Sequence, residues 1–214
     1  MFGLYQELLA RYGPQGWWPL LGLEGKAGVN PTKTGSVKGY HPGDYSYPHT
    51  REERFEICAG AILTQNTAWP NAEKALKNLD ILCRFVPERL LMHPESALKE
   101  AIRPAGYYNQ KAKKLRLFAE FFVRTKGTPS RTELLALWGI GKETADTILL
   151  YAYKEPVFVV DTYTRRFLAR HGIGLTEYDE IKVLFESSIP KSLEIYQEYH
   201  ALIVEEEKNQ INEK

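Results

Sequence analysis

The chain has 214 residues, of which 43% are hydrophobic, and a formal net charge of +1. This length suffices for one large domain or two small ones, and the composition excludes a disordered chain. No apolar run approaches the roughly 18 residues that span a bilayer, and the N-terminus lacks the features of a signal peptide, so we expect a cytoplasmic protein without a membrane partner.

Apolar residues recur at helical spacing through most of the chain. The first such pattern predicts a helix over residues 2–9, ended by Gly13-Pro14. Residues 21–50 show no period and are rich in Gly, Pro, Thr, Ser and Tyr, which predicts a long ordered loop or an insertion. A second helical region begins near Glu53, and the polar residues 64–67 that follow it are candidate N-caps for the next helix.

The middle of the chain contains a strongly amphipathic helix. Its predicted apolar face consists of Ala112, Leu115, Phe118, Ala119 and Phe122. Residues 103–126 carry seven Lys or Arg, Lys111 among them, against one acidic residue. Such a basic segment is either a phosphate-binding face or the solvated side of a helix, and the sequence leaves both interpretations open.

Only one short stretch, residues 157–160, has β character, and it lies between two predicted helices. We interpret it as an extended buried connector and not as a strand of a sheet. The pattern as a whole therefore predicts an all-α protein.

Gly139-Ile140-Gly141 predicts a tight turn between two helices. Glycine permits positive φ and leaves room for a phosphate to approach the backbone. The free amides at the start of the following helix favour an anion, and the carbonyls of such a turn can hold a monovalent cation. This chemistry suits binding to the DNA backbone without reading bases, although the tripeptide alone is equally compatible with an ordinary helix–helix turn.

A carboxylate, Asp161, directly follows the apolar connector, 20 residues after Gly141. At this place it must be partly desolvated or cap the next helix by accepting backbone amides. The two roles are compatible, because a capped carboxylate is rigid and stays ionised. Such a group can stabilise the oxocarbenium-like centre that forms when a glycosidic bond breaks.

The segment from Leu137 to Leu149, followed by Val159–Tyr163, resembles the endonuclease III superfamily of helix-hairpin-helix DNA glycosylases. Gly60–Thr67 and Gly106–Ala112 are similar to two further motifs of that family and occur in the family's order and spacing. The resemblance covers roughly residues 54–204. Together with the hairpin, the pair of tryptophans before Pro19 is most similar to the 3-methyladenine DNA glycosylase III branch.

The resemblance implies a two-lobed all-α fold with DNA in the cleft between the lobes. We expect a central six-helix lobe over residues 54–155, which contains the helix-hairpin-helix. A second helical lobe would combine residues 1–53 and 156–214, with residues 21–50 as its long loop.

The resemblance also implies roles for individual residues. Asp161 matches the catalytic aspartate, Gln65 the residue that fills the hole left by a flipped nucleotide, and Tyr107 the wedge that enters the opposite strand. Read without the resemblance, Gln65 could be a helix cap and Tyr107 an exposed aromatic residue at a glycine turn. The implied DNA contacts are Gln65, Asn66, Tyr107, Gly139, Gly141, Lys142 and Thr144, and the implied Na⁺ or K⁺ ligands are the backbone carbonyls of Leu135, Leu137 and Ile140.

Two departures from endonuclease III bear on the reaction. The bifunctional enzymes carry a lysine nucleophile at the position of Glu143, so a Schiff-base step is in doubt and hydrolysis by water is favoured. Glu143 itself either offsets the helix dipole or orients water and meets a cationic base. The chain has two cysteines, which cannot supply the four thiolates of an iron–sulfur cluster, and we expect no required cofactor.

Trp17 and Trp18 are either core residues or the wall of a pocket for a flipped base, where an aromatic face would favour a cationic alkylated purine. The expected function is therefore that of a monomeric, monofunctional DNA glycosylase of base excision repair, associated with the nucleoid and acting on double-stranded DNA. The rivals are a bifunctional glycosylase/lyase for oxidised pyrimidines and a non-catalytic helix-hairpin-helix module that only binds DNA.

Overall fold

The computed structural model describes residues 1–25 and 39–212, and within these ranges every regular element is a helix, as predicted. Short 3₁₀ turns lie at Leu21–Leu23 and Arg103–Ala105, and a π-helical turn lies at Ile148–Ala152. The α-helices are α1 (Phe2–Tyr12), α2 (Arg51–Leu63), α3 (Trp69–Cys83), α4 (Pro87–Met92), α5 (Glu95–Ala101), α6 (Tyr108–Arg124), α7 (Arg131–Leu135), α8 (Lys142–Thr147), α9 (Thr162–Arg170), α10 (Tyr178–Ser188) and α11 (Leu193–Asn212).

The chain divides into two compact units. Residues Ser46–Tyr153 form what we call the hairpin unit, which holds α2 to α8. Met1–Tyr45 and Lys154–Lys214 form the terminal unit, which holds α1 and α9 to α11. No helix in the described part of either unit combines the length and the apolar character needed to cross a membrane.

Helix α2 runs through the core of the hairpin unit. It begins with a capping box between Thr50 and Glu53, and all residues from Phe55 to Leu63 are buried. Neighbouring helices therefore cover this helix on all sides. Cys58 and Cys83 are buried free thiols, and burial raises the pKa of both.

The prediction that residues 64–67 cap the next helix is wrong. Helix α3 begins at Trp69 after Ala68, without a side-chain cap, and Pro70 occupies its first turn. The hydroxyl of Thr64 donates back to the Gly60 carbonyl (3.0 Å), and that of Thr67 donates to the Ala105 carbonyl (2.6 Å). These groups therefore tie the loop to its surroundings and do not cap the next helix.

The predicted apolar face of α6 is buried throughout. Lys111, which the sequence places in the basic segment, is only 2% exposed and does not lie on the solvated face. Its ammonium points inward because backbone carbonyls at Leu63 and Ala105 accept its hydrogen bonds. Helix α4 was not predicted, since its six residues are too few to show a period.

In the terminal unit, α1 and α9 both pack against α11. The segment before α9 is extended, and its residues Phe158, Val159 and Val160 are buried, which confirms the predicted connector. Phe158 stacks on Phe185 of α10 with a centroid distance of 4.0 Å. This packing fixes the connector and with it Asp161, directly before the start of α9.

The predicted loop at residues 21–50 is described at both ends, while residues 26–38 lie outside the described ranges. The ends are joined by backbone hydrogen bonds from Leu20 to Gly39 (3.0 Å) and from His41 to Gly16 (3.1 Å). A Cβ at Gly16 or Gly39 would come within 2.3 Å of backbone atoms, so both positions require glycine. This close packing fixes the chain on both sides of the two tryptophans.

Candidate active site and DNA-contacting surface

Asp161 is the N-cap of α9. Its Oδ1 accepts the Thr164 amide at 2.7 Å and the Thr164 hydroxyl at 2.8 Å, which forms a capping box. The sequence places an acceptor here because the apolar connector ends and the amides of a new helix become free. Both roles considered for Asp161, cap and catalytic carboxylate, are thus geometrically compatible, since one oxygen serves the cap.

The second oxygen of Asp161 faces His200 of α11. His200 Nε2 lies 3.5 Å from Asp161 Oδ2, and the two side chains are 5% and 14% exposed. Burial acts to raise the pKa of Asp161, but the hydrogen bond and charge of His200 and the bonds from Thr164 outweigh it, so the pKa lies below its ordinary value. The carboxylate is therefore ionised at neutral pH. Its contribution to stability is present above the ordinary carboxyl pKa and is lost as pH falls through the lowered one.

Trp17 stands beside this pair in the terminal unit. Its ring meets the His200 ring edge-on at a centroid distance of 5.6 Å. The segment just before it is held by the buried Glu198, whose carboxylate accepts the amides of Gln15 (2.8 Å) and Gly16 (3.2 Å). Trp17 is half-buried whereas Trp18 is 6% exposed, so Trp17 is the better candidate for contact with a base.

A lysine completes the surroundings of Asp161. Lys208 Nζ lies 5.9 Å from the ring centroid of Trp17. Burial lowers the pKa of Lys208, although the charges of Glu205 and Asp161 oppose the shift. The terminal unit thus places a carboxylate, an imidazole, an indole and an amine close together.

The predicted hairpin lies in the hairpin unit, between α7 and α8. The Ile140 amide donates to the Leu137 carbonyl at 3.1 Å, and Gly139 has φ +81°. Gly141 has φ −93°, so of the two hairpin glycines only Gly139 has positive φ. A Cβ at Gly141 would meet nothing within 4 Å, which leaves its amide side open to a ligand.

Gln65 is tied to the hairpin and is not a helix cap. Its Nε2 donates to the Gly139 carbonyl (3.2 Å) and to the Thr144 hydroxyl (2.8 Å). Its Oε1 accepts from Lys114 Nζ at 2.5 Å, and the stem of Lys114 crosses Gly139 so closely that a Cβ there would clash. The loop after α2 and the hairpin are therefore joined by one side chain.

Tyr107 and Asn66 lie at exposed turns near Gln65. Tyr107 is 69% exposed and has φ 46°, and the neighbouring Gly106 also has positive φ. Asn66, likewise exposed, has φ 51°. A cavity of about 180 Å³ is lined by Gln65, Asn66, Tyr107, Gln110, Lys111 and Lys114. The motif residues from two distant segments thus meet at one surface.

The first turn of α8 contains the remaining candidates. Lys142 and Glu143 are exposed, whereas Thr144 is 7% exposed and its hydroxyl is directed to Gln65. Thr144 could therefore contact a phosphate only through its backbone amide. Asp146, further along α8, is fully buried and accepts two hydrogen bonds from Arg131 (2.8 and 3.1 Å), which fixes α8 against α7.

Sequence reasoning did not single out His200, Lys208 or Glu198 as parts of the site. All three lie on α11, far along the chain from Trp17 and Asp161. No local motif marks them, and only the packing of α11 against α1 and α9 brings them together. The feature that marks this helix as part of the site is its run of buried polar residues, and that run can be recognised only when the burial of each residue is known.

The sequence matches a known family of DNA repair proteins. Residues 59–191 match the family model described as HhH-GPD superfamily base excision DNA repair protein. A relative from Methanocaldococcus jannaschii, named for DNA repair glycosylase activity, is 42% identical over 96% of this chain and 86% of its own length.

Solved structures show the same fold. The H. pylori 3-methyladenine DNA glycosylase bound to 1,N6-ethenoadenine matches with a TM-score of 0.71 and 29% identity, over 98% of this chain and 97% of that one. A trapped covalent intermediate of endonuclease III with DNA matches with a TM-score of 0.63 and 24% identity, over 71% and 72% of the two chains. The chain therefore has the all-α helix-hairpin-helix glycosylase fold and belongs to the HhH-GPD superfamily of base excision DNA repair proteins, as a DNA glycosylase of that family.

Proposed function

We propose that this protein is a monofunctional DNA glycosylase that hydrolyses the N-glycosidic bond of an alkylated purine in double-stranded DNA. The observation that carries the proposal is the ionised, capped carboxylate of Asp161 beside His200 and the half-buried Trp17. The name of the H. pylori relative, a 3-methyladenine DNA glycosylase, supports the same substrate class. We further propose that the protein acts as a monomer in the cytoplasm, at the nucleoid.

In the proposed reaction, the bond between C1′ and the base nitrogen breaks and its electron pair leaves with the base. A cationic base such as 3-methyladenine departs as a neutral molecule and needs no added proton. Asp161 stabilises the positive charge that develops on the sugar, water adds to C1′ and releases a proton, and an abasic site remains. Trp17 would offer an aromatic face to the cationic base.

The residues of the hairpin unit would bind the duplex. We propose that the amides at Gly139 and Gly141, with Lys142 and the Thr144 amide, hold a phosphate at the start of α8. Gln65 would fill the hole left by a flipped nucleotide, Tyr107 would enter the opposite strand as a wedge, and Asn66 would contact the DNA beside them.

A monovalent cation fits the hairpin turn chemically. Backbone carbonyls are hard oxygen donors, and the Leu137 carbonyl keeps a second lone pair beside its bond to the Ile140 amide. The proposed Na⁺ or K⁺ ligands are the carbonyls of Leu135, Leu137 and Ile140. The ion would add positive charge where a phosphate approaches, and we propose no other cofactor.

Two observations bear on the rival with lyase activity. Glu143 stands where bifunctional relatives carry the lysine nucleophile, and at the start of α8 its charge offsets the helix dipole. Lys208, in contrast, favours the rival, because it is an amine with a lowered pKa whose charge interacts with that of Asp161. A second candidate function, glycosylase with an added Schiff-base step, therefore requires a direct test.

Borohydride trapping distinguishes the two functions. We expect no covalent adduct when the protein meets duplex DNA with an abasic site in the presence of borohydride, because Glu143 takes the position at which bifunctional relatives carry the lysine nucleophile. Endonuclease III, for which a trapped covalent intermediate with DNA exists, is the positive control. An adduct that disappears in Lys208→Met or Lys142→Met would contradict monofunctional hydrolysis and identify the nucleophile.

A further inference from the structure

Lys111 is a buried lysine that the proposed reaction does not use. It lies in the first turn of α6 and is 2% exposed. Its ammonium donates to the Leu63 carbonyl (2.8 Å), the Thr67 hydroxyl (2.6 Å) and the Ala105 carbonyl (2.9 Å). All three N–H donors of the charged amine are therefore matched by an oxygen.

These acceptors lie at the bases of the two segments that carry the predicted DNA-inserting residues. Leu63 and Thr67 enclose Gln65 and Asn66, and Ala105 precedes the Gly106-Tyr107 turn. The Thr67 hydroxyl accepts from Lys111 and itself donates to the Ala105 carbonyl at 2.6 Å. One ammonium and one hydroxyl thus join the two segments directly.

The turns that Lys111 joins both contain unfavourable backbone. Asn66 (φ 51°) and Tyr107 (φ 46°) are non-glycine residues in the left-handed region. Such conformations persist only where surrounding contacts hold them. Each turn is short and exposed at its tip, so it is held by the buried bonds at its base and, in the first turn, also by the bonds of Gln65 to the hairpin and to Lys114.

We infer that Lys111 is a positioning residue: it ties the Gln65 segment to the Tyr107 segment so that both side chains can enter a lesion-containing duplex together. This inference rests on the proposed function. It assigns to Lys111 a role in the insertion step, and none in the breaking of the glycosidic bond.

The protonation of Lys111 gives the inference a distinctive signature. Burial, and then the charge of Lys114 on the same helix, lower the pKa of Lys111 to about 8. The groups that face it from α2, the following loop and the 3₁₀ turn are carbonyl and hydroxyl oxygens. A neutral amine has two N–H donors, so one of the three bonds is lost as pH rises through this value.

The test measures insertion without base release. A duplex carries a stable abasic analogue with 2-aminopurine opposite it, and its fluorescence rises when the base is unstacked by bound protein. At saturating protein we expect Lys111→Met to lower the inserted population about tenfold, because a hydrogen-bonded charge is removed. The control variant Lys77→Met, on a partly exposed lysine of α3, should behave like the wild type. Raising the pH from about 7 to about 9 should reduce the wild-type signal and leave that of Lys111→Met unchanged.

A second pair of variants controls for the possibility that Lys111→Met does not fold. Thr67→Val removes the bridging hydroxyl and should reduce insertion in the same direction, while Thr67→Ser should retain it. Wild-type fluorescence in both Lys111→Met and Thr67→Val, or a pH response that persists in Lys111→Met, would overturn the inference. Wild-type insertion without excision of any lesion would contradict the proposed function alone, because this readout requires no bond breaking.

Discussion

Asp161→Asn is expected to abolish base release while leaving binding to lesion DNA intact or tighter. In the proposed complex, the substitution would remove a negative charge that faces both the phosphates and the cationic transition state. An interaction made only in the transition state affects rate and not affinity, and we expect a loss on the order of 10³-fold or more in the single-turnover rate. Single-turnover excision and an equilibrium binding assay measure the two quantities separately.

The same variant tests chemistry with little effect on the fold. Asparagine is as good an N-cap as aspartate, so its side-chain oxygen can still accept the Thr164 amide that Asp161 accepts at 2.7 Å. Asp80→Asn, at a partly exposed carboxylate paired with Arg84 on α3, is the matched control and should keep full activity. A near-wild-type rate in Asp161→Asn would remove this residue from the reaction and would require another group to stabilise the transition state.

Trp17→Leu is expected to lower kcat/KM for 3-methyladenine about tenfold. Leucine keeps an apolar side chain but has no π face, and a desolvated cation–π contact contributes about 1 to 2 kcal/mol. The effect on 1,N6-ethenoadenine should be smaller, because that base carries no fixed positive charge. Excision rates for the two lesions in otherwise identical duplexes measure the selectivity.

Trp17→Phe is the matched variant, since it retains an aromatic face and should preserve most of the selectivity. The thermal unfolding of both variants must also be measured, because Trp17 packs against Trp18 and His200 and its replacement can change stability. Equal losses on the charged and the neutral lesion would show that Trp17 contributes shape and not selection for charge.

Much of the helical framework could be predicted from the sequence, since it depends on local patterns. The apolar face of α6 follows from helical spacing, and the connector before Asp161 follows from an apolar run with a polar residue at its end. The cap at Asp161 was foreseeable for the same reason. Where the apolar spacing and the residue types over a short segment indicate the same local structure, that structure can be predicted without knowledge of tertiary contacts.

The parts that escaped prediction depend on distant contacts. His200 faces Asp161 only because α9 and α11 pack together, and Glu198 holds the segment before Trp17 across most of the chain length. The sequence places Lys111 in a basic segment that either binds phosphate or is solvated, yet its ammonium is buried and donates to carbonyls of two other segments. The spacing of apolar residues does not identify such partners, because it reports local structure. The position of a charged residue in the sequence likewise does not show which oxygen atoms its side chain will contact.

Excision from a panel of single-lesion duplexes tests the central claim most directly. Duplexes that carry 3-methyladenine or thymine glycol would be incubated with the wild type and with Asp161→Asn, and each reaction would be analysed with and without alkali. The account predicts that the wild type releases 3-methyladenine, that strands break only after alkali, and that Asp161→Asn releases no base. Strand breakage without alkali, or cleavage at thymine glycol with 3-methyladenine left intact, would contradict it.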